Sequence, residues 1–234
     1  RKSNEIFGGF IIGKIIDSLI IGILCFVLPN ELWNEYGITS YVMGSPEQTV
    51  ATSYFLLKEA FEHQQPKVVA MENYYVWNKD LYFSAARLRQ AFDGMQFGKV
   101  KLEMIQTMLP EIGWKEQLTY VLPFLKYHSR WSALQNYDFH TKPYLKGARI
   151  DYTVVELEDP GILGQAVELP DNSIYYLEKI IALCKENGAQ FMMFGVPYGI
   201  ETDKERYERR QSMTLTRNLP DRMIPRERVY CTIH

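Results

Sequence analysis

A long apolar run from Ile6 to Leu28 constrains this chain more than any other feature. Its roughly 23 residues, at about 1.5 Å of rise each, suffice to cross a hydrocarbon core of about 30 Å as one helix. Pro29 ends the run, because proline cannot continue the hydrogen-bond ladder. The expectation is a transmembrane helix over residues 1–29 in a single-pass cell-membrane protein. Arg1 and Lys2 precede the run, which places the N-terminus in the cytoplasm and the remaining domain outside. A signal peptide fits less well, since the run is long and no small-x-small cleavage site follows it. Lys14 and Asp17 share one helix face at mid-span, where charges pair with each other, face other helices or line a watery path. Gly9 and Gly13 add a small-xxx-small pair suited to close helix contact.

The 234 residues hold one α/β domain beside such an anchor, and a net charge of −2 gives no basic footprint for nucleic acid. Cys25, Cys184 and Cys231 are too widely spaced for a metal site or a disulfide framework. No metal or other cofactor is expected. The chain opens on Arg1 rather than Met, which reads as a processed form or a fragment.

Beyond Pro29 the pattern changes. Ile38–Met43 is a short apolar strand ending at Gly44. Ser45 then reads as a helix N-cap, with Pro46 at the first helical position and Gln48 completing a capping box. The helix runs to about Gln64 with Val50, Tyr54, Leu57 and Phe61 at helical spacing, and Pro66 separates it from a buried strand over Lys67–Glu72. Helix candidates follow at Leu81–Phe92, Lys99–Leu109, Trp114–Tyr127 and Ser129–Tyr137, with a strand candidate at Tyr152–Leu157. A helix from about Ser173 to Asn187, capped by Asp171 or Asn172 and stopped by Gly188 at C′, leads into a third strand at Gln190–Val196. The expected fold is a doubly wound, mostly parallel α/β domain over residues 30–200, flavodoxin-like in kind, with a helical insertion at about 74–172. Residues 201–234 read as an irregular charged tail. Ligands of such sheets bind outside the carboxyl ends of the strands, here Gly44-Ser45, Glu72-Asn73-Tyr74 and Pro197-Tyr198.

Two resemblances add to this. Gly8–Phe26 is similar to one transmembrane segment of the autoinducer-2 exporter-like transporter family. Glu31–Gly37, Ser40–Gln48, Ser53–Ala60, Pro66–Val69, Phe124–Trp131 and Tyr176–Asn187 together resemble the SGNH/GDSL hydrolases of the bacterial cell envelope. The second resemblance implies a serine acyl-enzyme acting on acyl esters of envelope polymers, without metal or nucleotide. It also implies a serine in a Gly-x-Ser turn after the first strand, a glycine and an asparagine at the oxyanion, and a C-terminal Asp-x-x-His. Gly44 matches the family's glycine and Asn73 stands where its asparagine would be. The first strand with its serine belongs before Glu31, where the apolar run stands, and the tail holds no Asp-x-x-His. The domain therefore reads as incomplete at both ends, a hybrid of a transporter helix and the middle of an enzyme, unstable where its first strand is lacking.

Among substitutes, Ser45 lies between a strand and a helix but is already explained as a cap, and His128 comes with Arg130 and Trp131 as a binding or structural group before a general base. His63 suits a helix C-terminus, His140 and His234 face solvent, and Glu72 and Asp151 show no pairing as an acid/base couple. The resulting expectation is a membrane-anchored esterase- or acyltransferase-like domain without its catalytic residues. The alternatives are a non-catalytic protein binding a glycan or another protein through His128, Arg130 and Trp131, and a transporter fragment. The implied partners are the lipid bilayer, and envelope polysaccharide or other membrane helices.

Overall fold

Four parallel strands form one sheet in the computed structural model, which describes residues 16–22, 29–73, 76, 78–133 and 169–194. In chain order the elements are β1 (Ser18–Gly22), α1 (Pro29–Tyr36), β2 (Ser40–Gly44), α2 (Val50–His63) and β3 (Val68–Glu72). Then come α3 (Ala85–Gly94), α4 (Lys99–Met108), α5 (Trp114–Val121) and α6 (Phe124–Tyr127), a 3-10 turn over His128–Ala133, α7 (Asp171–Glu186) and β4 (Gln190–Phe194). The strand order β2-β1-β3-β4 is that of the flavodoxin-like doubly wound sheets.

The largest correction concerns the apolar run. Ser18–Gly22 is a strand, paired with β2 on one side and β3 on the other, and so occupies the interior of the sheet. The expected membrane helix over residues 6–28 and this strand exclude each other. No helix among the described residues is long and apolar enough to cross a membrane. The physical reason is that an interior strand of a parallel sheet is covered on both faces. Leu19 and Ile21 enter the main core, while Ile20 points the other way to Val42 and to Leu32 of α1. A strand apolar on both faces has no alternation, and hydropathy alone cannot tell it from part of a buried helix. The expectation of an absent first strand is overturned with it, and the expected instability loses its premise: the sheet begins upstream of residue 30.

Asp17 shows what a charge inside an apolar run is for. Its carboxylate accepts from the Thr39 hydroxyl at 2.6 Å, the Thr39 N–H at 3.2 Å and Lys67 Nζ at 2.9 Å. Its main chain bonds Thr39 and Lys67, so one residue joins the lead-ins to β1, β2 and β3. The Thr39 hydroxyl, then Lys67, then the Thr39 N–H hold its carboxyl at about 2, below the ordinary 3.8.

The main core lies on one face of the sheet, where α2 and α7 pack together and Leu57, Ala60, Val69 and Ile180 are fully enclosed. The helical segment closes that layer. Arg89 of α3 stacks over the Tyr120 ring at 3.7 Å and donates to the Thr119 carbonyl and hydroxyl, tying α3 to α5. Several expected boundaries move. The helix expected over Ser129–Tyr137 is a 3-10 turn over His128–Ala133 as far as its residues are described, and the one expected from Ser173 starts at Asp171 with Pro170 before it and no side-chain cap. The helix expected over Trp114–Tyr127 is split at Leu122-Pro123, because Pro123 has no N–H to donate and crowds the preceding turn. The one expected from Leu81 begins at Ala85, capped by the Ser84 hydroxyl, which accepts from the Arg87 N–H at 3.3 Å. At the end of α7, Gly188 has φ +70° and fits its expected C′ place. The strand candidate Tyr152–Leu157 and the tail 201–234 lie outside the described residues.

Candidate functional site at the carboxyl ends of the strands

Gly22, Gly44, Glu72 and Phe194 end the four strands side by side. Between β1 and β3 the strand order reverses, and there a doubly wound sheet ordinarily opens a ligand crevice. Gly22 has φ +141°, and a Cβ on it would meet the Glu72 Cβ at 2.8 Å. Only glycine fits, both for its dihedral and for the closeness of β3. Glu72 is buried at this reversal point.

The segment after β2 is built differently from the expected capping box. Thr49, not Ser45, caps α2: its hydroxyl accepts from the Thr52 N–H at 3.2 Å and donates to the Leu81 carbonyl at 2.7 Å. Glu47 takes φ +56°, which turns the chain between Ser45 and the helix and delays the start to Val50. Gln48 points inward instead of back to the Ser45 N–H. Its amide donates to the Met43 carbonyl at 3.3 Å and to the Ser53 hydroxyl at 3.0 Å. Its carbonyl oxygen accepts from the Ser45 hydroxyl at 3.0 Å. Ser45 and Gln48 are both buried. A serine hydroxyl becomes a useful nucleophile only when a base takes its proton, and an amide oxygen is far too weak a base for that.

The other expected site residues lie on different elements. Gly44 is the last residue of β2, in register with Gly22. The Asn73 N–H donates to the Phe194 carbonyl at 3.0 Å, so its main chain extends the β3–β4 ladder. His128 is exposed on the 3-10 turn, with Nδ1 2.8 Å from the Leu125 carbonyl oxygen. Arg130 and Trp131 belong to the same turn, and their side chains lie outside the described residues. Ser45 and His128 thus each hydrogen-bond within their own segment. His63 ends α2 and is exposed. Cys25, Cys231, His140, His234 and Asp151 lie outside the described residues. Cys184 is buried in α7, and burial pushes its thiol up to about 12, which leaves it unreactive. Among the described residues no three His, Cys, Asp or Glu side chains converge to hold a metal ion.

Sequence reasoning passed over one group of charges. Glu59 and Lys101 are buried at 4 % and 2 % exposure. The signal was available: Glu59 follows Thr52 and Phe55 at helical spacing, and Lys101 stands three, four and seven residues before Met104, Ile105 and Met108, all buried. A charge on an apolar stripe is a buried charge. Comparisons of the chain with protein-family models, curated proteins and solved structures return no match.

Proposed function

We propose that the chain is a catalytically silent α/β domain of SGNH-hydrolase type, which engages an acyl-bearing or glycan polymer of the cell envelope without turning it over. The parallel order β2-β1-β3-β4 supports the fold part of this reading. The Ser45–Gln48 hydrogen bond carries the functional part: the serine between the β2 end and α2 donates a hydrogen bond to a neutral amide oxygen, which cannot take its proton, and so lacks an activating base there. The residues that follow β1 in the sequence, Ile23-Leu24-Cys25-Phe26-Val27-Leu28, include no serine. Gly44 and the Asn73 region then stand as the frame of a site without its reacting groups. Envelope location and polymer class rest on the family resemblance. A membrane helix over residues 6–28 is not part of the proposal, since Ser18–Gly22 is committed to the sheet.

Labelling with a fluorophosphonate and turnover of short acyl esters test the proposal. No serine should label, and hydrolysis should stay at background, because loss of nucleophile or base costs a serine hydrolase several orders of magnitude in rate. Stoichiometric labelling of Ser45 that vanishes in Ser45→Ala and in His128→Ala would overturn it.

A further inference from the structure

Glu59 lies on the inner side of α2, where the turn between α3 and α4 is laid against it. Its Oε1 accepts from the Gln96 N–H at 2.7 Å, a bond from the sheet's own helix to the helical segment. Its Oε2 is buried and has no hydrogen-bond partner. The facing groups are few. Glu62 and His63 come from α2 itself, and Lys101 comes from α4. Beyond Lys101 stand Asp93 and Arg89 of α3. Lys101 does not pair with the carboxylate; its ammonium donates to the Met95 carbonyl at 3.3 Å. Asp93 accepts from the Tyr127 hydroxyl with one oxygen, and its other oxygen is buried without a partner. A cavity of about 100 Å³ opens along Glu59, Gln96, Gly98 and Lys101. At roughly 30 Å³ per molecule it has room for a few waters, and so for proton exchange with solvent.

We propose that Glu59 is a proton-controlled latch, which in its neutral form holds the α3–α4 turn on α2 and in its ionised form loosens it. A neutral carboxyl keeps the Gln96 N–H on Oε1 and leaves no charge at the buried Oε2. An ionised one leaves a buried charge with a single N–H donor and a cation that is turned elsewhere. The cost is relieved when the turn lifts and water reaches Oε2. Burial pushes the Glu59 carboxyl up to about 7 from the ordinary 4.5, against the pull of the Gln96 N–H and of Lys101. For an acid raised in the folded state, the folded form binds more protons than the unfolded one between those two values. Stability is therefore full below about 4.5, falls as pH rises, and is at its lowest above about 7.

Melting of the full chain between pH 4.5 and pH 8 reads this out. The wild-type melting temperature should fall by several degrees across the window, Glu59→Gln should be nearly flat, and His63→Gln should keep the wild-type slope. Hydrogen exchange of the wild type adds a local measurement that needs no variant to fold. Once corrected for intrinsic rates, protection over residues 95–101 should drop at least about tenfold from pH 5 to pH 8. A Glu59→Gln slope equal to the wild type, a slope lost in His63→Gln, or unchanged protection at Gln96 would each overturn the latch.

Discussion

Asp17 and Glu59 are both acidic side chains on the inside of the sequence pattern, and they push stability in opposite directions with pH. Three donors surround Asp17, so its ionised form is favoured on folding. Its contribution is present above 3.8 and is lost as pH falls toward about 2. Asp17→Asn should therefore lower stability at pH 6 and flatten the loss between pH 4 and pH 2, read from urea unfolding at each pH. An acid limb as steep in Asp17→Asn as in the wild type would show that Asp17 does not join the strand lead-ins. Asp17 was visible in the sequence as a charge at mid-run, with Lys14 the only partner in view. Its actual partners, Thr39 and Lys67, are 22 and 50 residues away, and only the sheet brings them together.

At the scale of elements, local chemistry was legible where a cap or a breaker decided the boundary, and not where two caps competed. Lys99–Met108, the end of the last helix at Glu186 and Gly188 after it follow from periodicity and helix stops. That helix starts at Asp171 behind Pro170, and not at Ser173 behind an Asp171 or Asn172 cap. Before α2, both Ser45 and Thr49 have the right side chain. Thr49 wins because the turn at Glu47 and the inward Gln48 use the preceding residues for tertiary contacts. Thr49→Ala should cost about 1 kcal/mol from the lost cap, and somewhat more because Leu81 loses its donor. Urea unfolding measures it, and a cost below about 0.3 kcal/mol would return the cap to Ser45.

The whole molecule turns on the segment Ser18–Gly22. Leu19 is fully buried in the core between β2 and β3. Leu19→Ala should therefore destabilise cooperative unfolding of the α/β domain by about 2–5 kcal/mol, the range for a large-to-small change in a close-packed core. In a membrane anchor the same change would leave the unfolding of a separate domain untouched. A wild-type midpoint in Leu19→Ala would remove β1 from the sheet, and with it the strand order from which the candidate site takes its place.

By itself the sequence determined that helices alternate with short apolar strands after residue 30, and hence that the sheet is parallel with strands ending at Gly44 and Glu72. It also determined that neither end supplies a Gly-x-Ser turn with an Asp-x-x-His. Tertiary structure alone decided between helix and strand for the apolar run, because burial on both faces erases the alternation that marks a strand. It likewise decided that the Ser45 hydroxyl donates its hydrogen bond to Gln48 and that Glu59 lies under the α3–α4 turn. A hydrogen-bond partner and a local dielectric are properties of what is packed alongside a residue, and chain neighbours five or forty positions away supply them only once the sheet has formed.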